Sequence, residues 1–167
     1  RGIGRSFAFN TNEGADDYLS VDELVHTLAD VTSKNGRMLL GLGPDAAGVI
    51  SEDQRRIAAG LGAWLARNGE AITSTRPHTR AEGRFADVRY TTRADRLYAI
   101  VPSTEARDRR ELVLDVVPRE QQVSLVGGDL LETAERDGRL VVRLPERLPE
   151  APAHAVRVVG EHHDPAR

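Results

Sequence analysis

The chain has no cysteine, a single lysine at position 34, and few aromatic side chains. Without cysteine there is no disulfide framework and no thiolate metal site, and the redox compartment stays undetermined. No apolar run approaches the roughly 20 residues that a membrane span needs. Charges of both signs are mixed and the formal net charge is −3, so no basic field indicates nucleic acid. We therefore expect neither a membrane nor a nucleic acid as a partner.

The length of 167 residues suits one or two small domains with a real core. The chain begins at Arg1, without a methionine or a signal-like segment. We expect it to be the tail of a longer protein, whose localisation is unknown because targeting information would lie elsewhere. The oligomeric state of that protein is also open, and a homo-oligomer is possible.

Two segments have the period of amphipathic helices. In the first, the apolar positions of one face are Val21, Leu24, Val25, Leu28 and Val31. Ser20 and Glu23 form a capping box before this face, and Asn35-Gly36 provides a left-handed stop after it. A second helix is predicted from Ser51, with Gln54 completing its box and Asn68-Gly69 ending it in the same way. Trp64 falls on the apolar face of this helix, which indicates a core position rather than a sugar-stacking platform.

Between the helices lies the apolar run "RMLLGLGP", residues 37–44, which suits a strand buried on both faces. Helix, strand, loop and helix with tight connections are typical of an α/β protein with parallel strands. The loop "GLGPDAAG" superficially resembles a phosphate loop, but its spacing is not GxGxxG and Pro44 removes an amide donor. We interpret it as structural.

After about residue 75 the pattern changes to short strands. They are "FADVRYTT", "RLYAIVP", "ELVLDVV", "QQVSLVG", "RLVVRLP" and "AHAVRVVG", separated by turns such as Gly127-Gly128 and Asp137-Gly138. This pattern predicts an antiparallel β-sandwich, joined to the α/β part by a linker near "STRPHTRAEG". The fold class is thus α/β followed by all-β. An intact (β/α)₈ barrel needs roughly 250 residues, so the α/β part is predicted to be a fragment.

The order of several motifs resembles the C-terminal part of the glycoside hydrolase family 29 α-L-fucosidases. The resemblance is collinear over residues 1–76, in "GIGRSFAFNTNEG", "YLSVDELVHTLADVTSKNGRMLLGLGPDAAGVI" and "LGAWLARNGEAI". It continues more weakly in "DRLYAIVP" and "VSLVGGDLL". It implies that residues 1–76 are the C-terminal end of an irregular (β/α)₈ barrel and that residues 77–167 are a C-terminal β-sandwich.

The same resemblance implies a retaining exo-acting α-L-fucosidase that hydrolyses terminal α-L-fucose from glycoconjugates or oligosaccharides. "SFAFNTNE" stands where many bacterial members have an "SWGYNRNE"-like motif, which gives Glu13 the role of acid/base. Arg1, twelve residues earlier, matches an arginine that contacts the sugar, and Met38 stands where the family often places an apolar wall against the fucose methyl group. The nucleophile would lie upstream, so this chain alone would be inactive. No cofactor is implied, and the partner is a fucosylated glycan.

Each of these residues also has a structural interpretation. Glu13 could be a solvated loop carboxylate, Arg1 a mobile terminal residue and Met38 a core residue that fills a gap. For catalysis Glu13 would need a raised pKa, which a pocket closed by Phe7 or Phe9 could supply by desolvation. His26 has no partner at metal-ligand spacing, and oxygen ligands at regular spacing for calcium are too few.

An alternative function is a non-catalytic β-sandwich module that binds carbohydrate or braces the barrel. Exposed aromatic side chains on the strands would favour glycan binding. Only Phe85, Tyr90 and Tyr98 are available there, and their pattern predicts core positions. We therefore favour bracing over glycan binding for this part of the chain. A degenerate free-standing protein is a third hypothesis, which the missing initial methionine disfavours.

Overall fold

The computed structural model describes residues 1–162, which form three α-helices and eight β-strands. The helices are α1 (Val21–Ser33), α2 (Glu52–Asn68) and α3 (Ser103–Asp108). The strands are β1 (Arg76–Glu82), β2 (Arg89–Arg93), β3 (Arg96–Pro102), β4 (Glu111–Leu114), β5 (Gln122–Leu125), β6 (Thr133–Arg136), β7 (Arg139–Arg143) and β8 (Ala153–Val159). None of the helices in residues 1–162 is long and apolar enough to cross a membrane.

Helix α1 has the boundaries that its local sequence predicts. The Ser20 hydroxyl accepts a hydrogen bond from the Glu23 N–H at 3.1 Å, and the Glu23 carboxylate accepts one from the Ser20 N–H at 2.8 Å. At the other end Asn35 adopts φ 64°, the left-handed conformation that stops a helix. The predicted capping box and stop are both confirmed.

Helix α2 differs from its prediction at both ends. The Ser51 hydroxyl accepts a hydrogen bond from the Gln54 N–H, but the Gln54 side chain does not return to the Ser51 backbone and instead bonds Gly43. Gly69 has φ −61°, so the chain continues into a 3-10 turn (Gly69–Ala71) rather than stopping in a left-handed cap. The predicted box and the predicted cap are wrong here, although the helix itself is confirmed.

Residues 37–44 do not form the predicted strand that is buried on both faces. Gly41 alone pairs with Gly2, in a parallel bridge in which the Gly41 N–H donates to Arg1 O and Gly41 O accepts from the Ile3 N–H. Leu39 is 74% exposed. A strand buried on both faces needs a packed layer over each face, and within residues 1–162 nothing covers the face on which Leu39 lies. The parallel direction across α1 agrees with the predicted α/β pattern.

Two antiparallel sheets follow the helices. The larger has the order β1-β2-β3-β8-β5, and the smaller has the order β4-β7-β6. The chain is therefore a mixed α and β structure with antiparallel sheets, as the turn-separated strand pattern indicates. The predicted linker is wrong in one respect, because β1 occupies most of it. This edge strand carries polar and partly exposed side chains, so it has no hydrophobic alternation to reveal it.

Strands β3 and β8 hold two hydrophobic cores, one on each face of the larger sheet. Leu97 and Val156 face the core shared with the smaller sheet, whereas Tyr98 and Ala155 face the core beneath α1 and α2. The core prediction is confirmed for Tyr90 and Tyr98 but is wrong for Phe85. That ring is 42% exposed and lies under the Arg139 guanidinium, 4.7 Å from its centroid.

An ion-pair network ties α1 to the larger sheet. Lys34, at the end of α1, bonds Asp30 at 2.8 Å and Glu82 of β1 at 2.7 Å. Arg89 of β2 bonds the same Asp30 carboxylate at 2.7 Å. The Lys34 hydrogen bond is the largest cause of the lowered pKa of Asp30, and Arg89 lowers it further against the opposing effect of burial. Hydrogen bonding to Lys34 likewise lowers the pKa of Glu82.

This network gives the protein an acid-dependent stability. Because the pKa of Asp30 is lower in the folded than in the unfolded state, its contribution is present above the unfolded pKa of about 4 and is lost as the pH falls through the folded value. We expect Asp30→Asn to be less stable than the wild type near neutral pH and equally stable in acid. Urea unfolding midpoints of the two proteins, measured from neutral pH into acid, test this prediction. Parallel pH profiles for the two proteins would contradict it.

Candidate active site

Glu13 lies in the loop between the Gly2 bridge and α1, and the loop itself holds its carboxylate. Glu13 Oε1 accepts hydrogen bonds from the Ser6 N–H at 2.7 Å and from Asn10 Nδ2 at 3.4 Å. The Glu13 N–H donates to Asn10 O at 3.1 Å, which closes the turn. Asn10 Nδ2 also donates to Ser6 Oγ at 3.1 Å. The half-buried Glu13 is therefore fixed by local contacts rather than freely solvated.

The second carboxylate oxygen lies above a glycine. A methyl group placed on the Gly4 Cα would lie 2.2 Å from Glu13 Oε2, well inside contact distance. Glycine at position 4 therefore lets the carboxylate approach the backbone closely. Since the obstructed atom is the end of a flexible side chain, a residue larger than glycine would displace the carboxylate before it displaced the backbone.

The electrostatics of Glu13 differ from the sequence prediction. Hydrogen bonding from Ser6, with a smaller contribution from Asn10, holds the pKa of Glu13 below its ordinary value and outweighs desolvation. Phe7 is 66% exposed and Phe9 is 42% exposed, so neither ring closes a pocket over the carboxylate. The expected closure and raised pKa are wrong for these residues by themselves. A closed pocket over Glu13, or a raised pKa of its carboxyl group, would require a further surface from outside residues 1–162.

Glu13 shares a small recess with three glycines, Gly4, Gly41 and Gly43, at the bridge between Gly2 and Gly41. This Glu13 recess is lined by Ile3, Gly4, Ser6, Phe7, Ala8, Phe9, Asn10, Glu13, Tyr18, Gly41, Gly43 and Gln54. Its interior of about 10 Å³ has room for roughly one water molecule. The recess therefore lies at the carboxyl ends of the two parallel segments, residues 1–3 and 39–41.

The side chain of Gln54 fixes the floor of this recess. Its Oε1 accepts from the Gly43 N–H at 2.8 Å, and its Nε2 donates to Gly43 O at 3.1 Å, in a buried pair of bonds that joins the loop to α2. A methyl group on the Gly43 Cα would lie 2.5 Å from Phe9 N, so the Glu13 loop rests directly on this glycine. Gln54 thus holds the surface against which the loop packs.

Replacing Gln54 by Ala is expected to destabilise the protein by about 1–3 kcal/mol, because both Gly43 polar groups would be left buried without partners. Urea unfolding followed by circular dichroism measures this loss. The control is Arg55→Ala, which removes only an exposed ion pair with Glu52 and should cost less than about 1 kcal/mol. Equal losses for the two variants would contradict the role of Gln54.

The other predicted site residues lie outside the Glu13 recess. Arg1 lies in a neighbouring recess with Glu23, and the only residues lining both recesses are Ile3, Gly4 and Tyr18. The Arg1 amino group donates to Leu39 O at 2.9 Å. Met38 is half-buried and packs against the core beneath the helices. Within residues 1–162 the three predicted residues therefore do not converge on one cavity.

Sequence reasoning overlooked the groups that hold Glu13 and its floor. Ser6 and Asn10 precede Glu13 by seven and three residues and carry the polar side chains usual in turns. Gln54 looked like a capping residue, so its bond to Gly43 was missed. Among the described residues no group of three or more histidine, aspartate or glutamate side chains could hold a metal ion.

Comparison with protein-family models places the first part of the chain. Residues 1–70 match the model described as alpha-L-fucosidase. Of the curated relatives, an alpha-L-fucosidase of Branchiostoma floridae is 36% identical over 98 residues, which cover 58% of this chain and 22% of the relative. The tissue alpha-L-fucosidase of Homo sapiens is 26% identical over 149 residues, which cover 87% of this chain and 32% of the relative.

Solved structures resemble nearly the whole chain. A Thermotoga maritima alpha-fucosidase in complex with fucose has a TM-score of 0.82 and 32% identity, covering 95% of this chain and 39% of that one. The isoenzyme 1 of Paenibacillus thiaminolyticus has a TM-score of 0.79 at 22% identity, which shows the fold alone. The chain therefore spans between about a fifth and two fifths of the length of these relatives.

The matching family model and the relatives define the class: the chain is related to the glycoside hydrolases. More narrowly, residues 1–70 match the alpha-L-fucosidase family model, and the relatives and solved structures that resemble the chain are alpha-L-fucosidases.

Proposed function

We propose that the full-length protein containing this chain is a retaining, exo-acting α-L-fucosidase that releases terminal α-L-fucose from glycoconjugates or oligosaccharides. One observation carries the proposal: a chain whose relatives are alpha-L-fucosidases holds a positioned carboxylate, Glu13, at the carboxyl ends of two parallel segments. Loops at that end of parallel strands carry the active sites of barrel enzymes. Residues 1–76 would then be the end of an irregular (β/α)₈ barrel and residues 77–167 a β-sandwich.

In this mechanism Glu13 is the acid/base, and a carboxylate outside this chain is the nucleophile. The nucleophile attacks the fucose anomeric carbon while Glu13 donates a proton to the departing glycosidic oxygen. The ionised Glu13 then takes a proton from a water molecule, which displaces the nucleophile and restores the anomeric configuration. The two carboxyl groups of retaining enzymes lie about 5 Å apart, so the nucleophile would face Glu13 across the recess.

The lowered pKa of Glu13 fits this role only if the site is completed. An acid needs its proton before the first step, whereas hydrogen bonding from Ser6 favours the charged form of Glu13 here. A second carboxylate about 5 Å away and a bound sugar that excludes water both raise the pKa of a carboxyl group. We infer that these two influences reverse the shift when the whole site is assembled.

Arg1 and Met38 are proposed to contact the sugar. The Arg1 guanidinium offers a planar set of donors that suits adjacent hydroxyls, and the Arg1 side chain is exposed. Met38 would present its thioether to the fucose methyl group. Neither side chain lines the Glu13 recess. Arg1 lies in the recess beyond Gly4, so its assignment requires a bound sugar that extends from Glu13 past Gly4.

The alternative is a non-catalytic module that binds carbohydrate or braces the barrel. Tyr90 and Tyr98 are fully buried, which leaves Phe85, in the loop between β1 and β2, as the exposed aromatic side chain of this part of the chain within residues 1–162. The core beneath α1 and α2 includes Tyr98, Ile100 and Ala155 from the larger sheet. These contacts favour bracing over glycan binding, and bracing is compatible with catalysis elsewhere in the protein.

The test is hydrolysis by the full-length protein of aryl glycosides that differ only in the sugar. We expect turnover of the α-L-fucoside, with α-L-fucose as the first product detected by proton NMR, and no turnover of the α-D-galactoside or β-L-fucoside. Initial release of β-L-fucose would overturn the retaining mechanism. Absence of turnover with the α-L-fucoside would favour the non-catalytic module.

A further inference from the structure

We propose that Phe7 and Phe9 form the leaving-group subsite, an apolar platform for the sugar or other aglycone to which the fucose is attached. This inference rests on the proposed function, because it assumes that Glu13 is the acid/base. The proposed subsite lies on the opposite side of the scissile bond from the fucose. The inference therefore assigns a substrate-binding role to two residues whose rings face solvent.

Both rings adjoin Glu13 and are largely open. Phe7 and Phe9 line the same recess as the carboxylate, with 66% and 42% of their surfaces exposed. Within the described part of the chain neither ring stacks on another ring or on a cation, in contrast to Phe85 beneath Arg139. The recess interior of about 10 Å³ is far too small for a sugar ring. A sugar bound here must lie on the rim, where these two rings are.

The platform has a rigid support. Carbon atoms of the Phe7 ring lie 3.5–3.6 Å from the position that a methyl group on Gly41 would occupy, so the ring covers the space left by the missing side chain. The backbone at Phe9 rests on Gly43, which Gln54 holds through two hydrogen bonds. Since Gln54 ties the backbone beneath Phe9 to α2, this part of the loop needs little ordering when a ligand binds, which favours binding.

The chemistry of the acid step brings the leaving group to this place. A general acid must come within hydrogen-bond distance of the oxygen that departs, and that oxygen belongs to the leaving sugar. The leaving sugar therefore lies beside Glu13, on the loop that carries Phe7 and Phe9. The C–H face of a pyranose and an aromatic aglycone are both apolar surfaces that pack on aromatic rings. The expected ligand is accordingly a neutral sugar or aryl group at the reducing side of fucose.

The test compares substrates with and without a leaving group that can reach the platform. Full-length wild type, Phe7→Ala and Phe9→Ala are assayed with a neutral α-L-fucosyl disaccharide and with α-L-fucosyl fluoride, whose leaving group is a single atom. We expect each substitution to lower kcat/KM for the disaccharide about tenfold and to leave fucosyl fluoride hydrolysis and inhibition by L-fucose unchanged. Phe7→Tyr should retain disaccharide activity, because it keeps the ring face.

Phe85→Ala is the matched control, since Phe85 is as exposed as Phe9 but lies in the loop between β1 and β2, outside the Glu13 recess. This substitution should change neither kcat/KM for the disaccharide nor the hydrolysis of fucosyl fluoride. Equal losses on both substrates, or weaker inhibition by L-fucose, would overturn the subsite and show that the rings shape the fucose site or pack against the rest of the protein. Unchanged disaccharide kinetics would also overturn it while leaving the fucosidase proposal intact. An inactive wild type would overturn both.

Discussion

Glu13→Gln is expected to slow fucose release from a disaccharide by about 10²–10⁴-fold in the full-length protein. The glutamine keeps the size of the side chain and an oxygen that can accept from the Ser6 N–H, so the loop should retain its shape. It has no proton to give to the departing oxygen. The measurement is kcat/KM for the disaccharide, with folding checked by circular dichroism.

The leaving group and an added nucleophile separate acid/base loss from other damage. A good aryl leaving group needs no proton, so the first step with an aryl α-L-fucoside should be nearly normal and the second step slow. Azide attacks the fucosyl-enzyme without base assistance, and two successive displacements give α-L-fucosyl azide. Formation of the β-azide would instead identify Glu13 as the nucleophile, and an unaffected variant would move the acid/base to another residue.

Two further variants test whether the loss of activity depends on the position of the Glu13 carboxylate. Gly4→Ala keeps Glu13 but places a methyl group where Oε2 lies, so we expect a loss of disaccharide activity without rescue of the kind seen with Glu13→Gln. Asp22→Asn removes an exposed carboxylate from the first turn of α1. Its activity should match the wild type.

Features set by adjacent residues were predictable from the sequence. The Ser20–Glu23 box and the left-handed Asn35 stop need only their own turn of helix, and both formed as predicted. Apolar strands whose side chains are buried on both faces, such as β3 and β8, were also found. Strand β1 was missed because an edge strand with polar side chains has no such pattern.

Features that depend on distant partners were not predictable. The Gln54 side chain had two possible hydrogen-bond partners, the Ser51 backbone and the Gly43 backbone. It bonds Gly43 only because residues 41–43 fold against α2. The run 37–44 is apolar, yet Leu39 is exposed because within residues 1–162 nothing covers the face on which it lies. The candidate site follows the same rule. The role of Glu13 stays a prediction from its motif, whereas its lowered pKa depends on where Ser6 and Asn10 fold.

Trp64→Ala is expected to destabilise this chain by about 3–5 kcal/mol, since it empties the largest aromatic volume of the core beneath α1 and α2. Trp64 is 4% exposed, and its Nε1 donates to Ala153 O at 2.9 Å. Ala153 O lies beyond the end of β5. Val126, the residue that follows β5, donates its N–H to Ala155 O instead. The indole thus supplies the donor that strand pairing does not. Urea unfolding followed by circular dichroism measures the loss.

Trp64→Phe separates packing from hydrogen bonding at this position. Phenylalanine restores most of the apolar volume but leaves Ala153 O without its donor, so we expect an intermediate loss of about 1–3 kcal/mol. Phe85→Ala, in the exposed loop between β1 and β2, should cost about 1 kcal/mol or less, mainly through its contact with Arg139. If Trp64→Ala cost no more than Phe85→Ala, α2 would not be held to β8 through the indole. The sheets would then brace the Glu13 loop through α1, by the ion pairs that tie α1 to β1 and β2, rather than through α2, which holds Gly43 through Gln54.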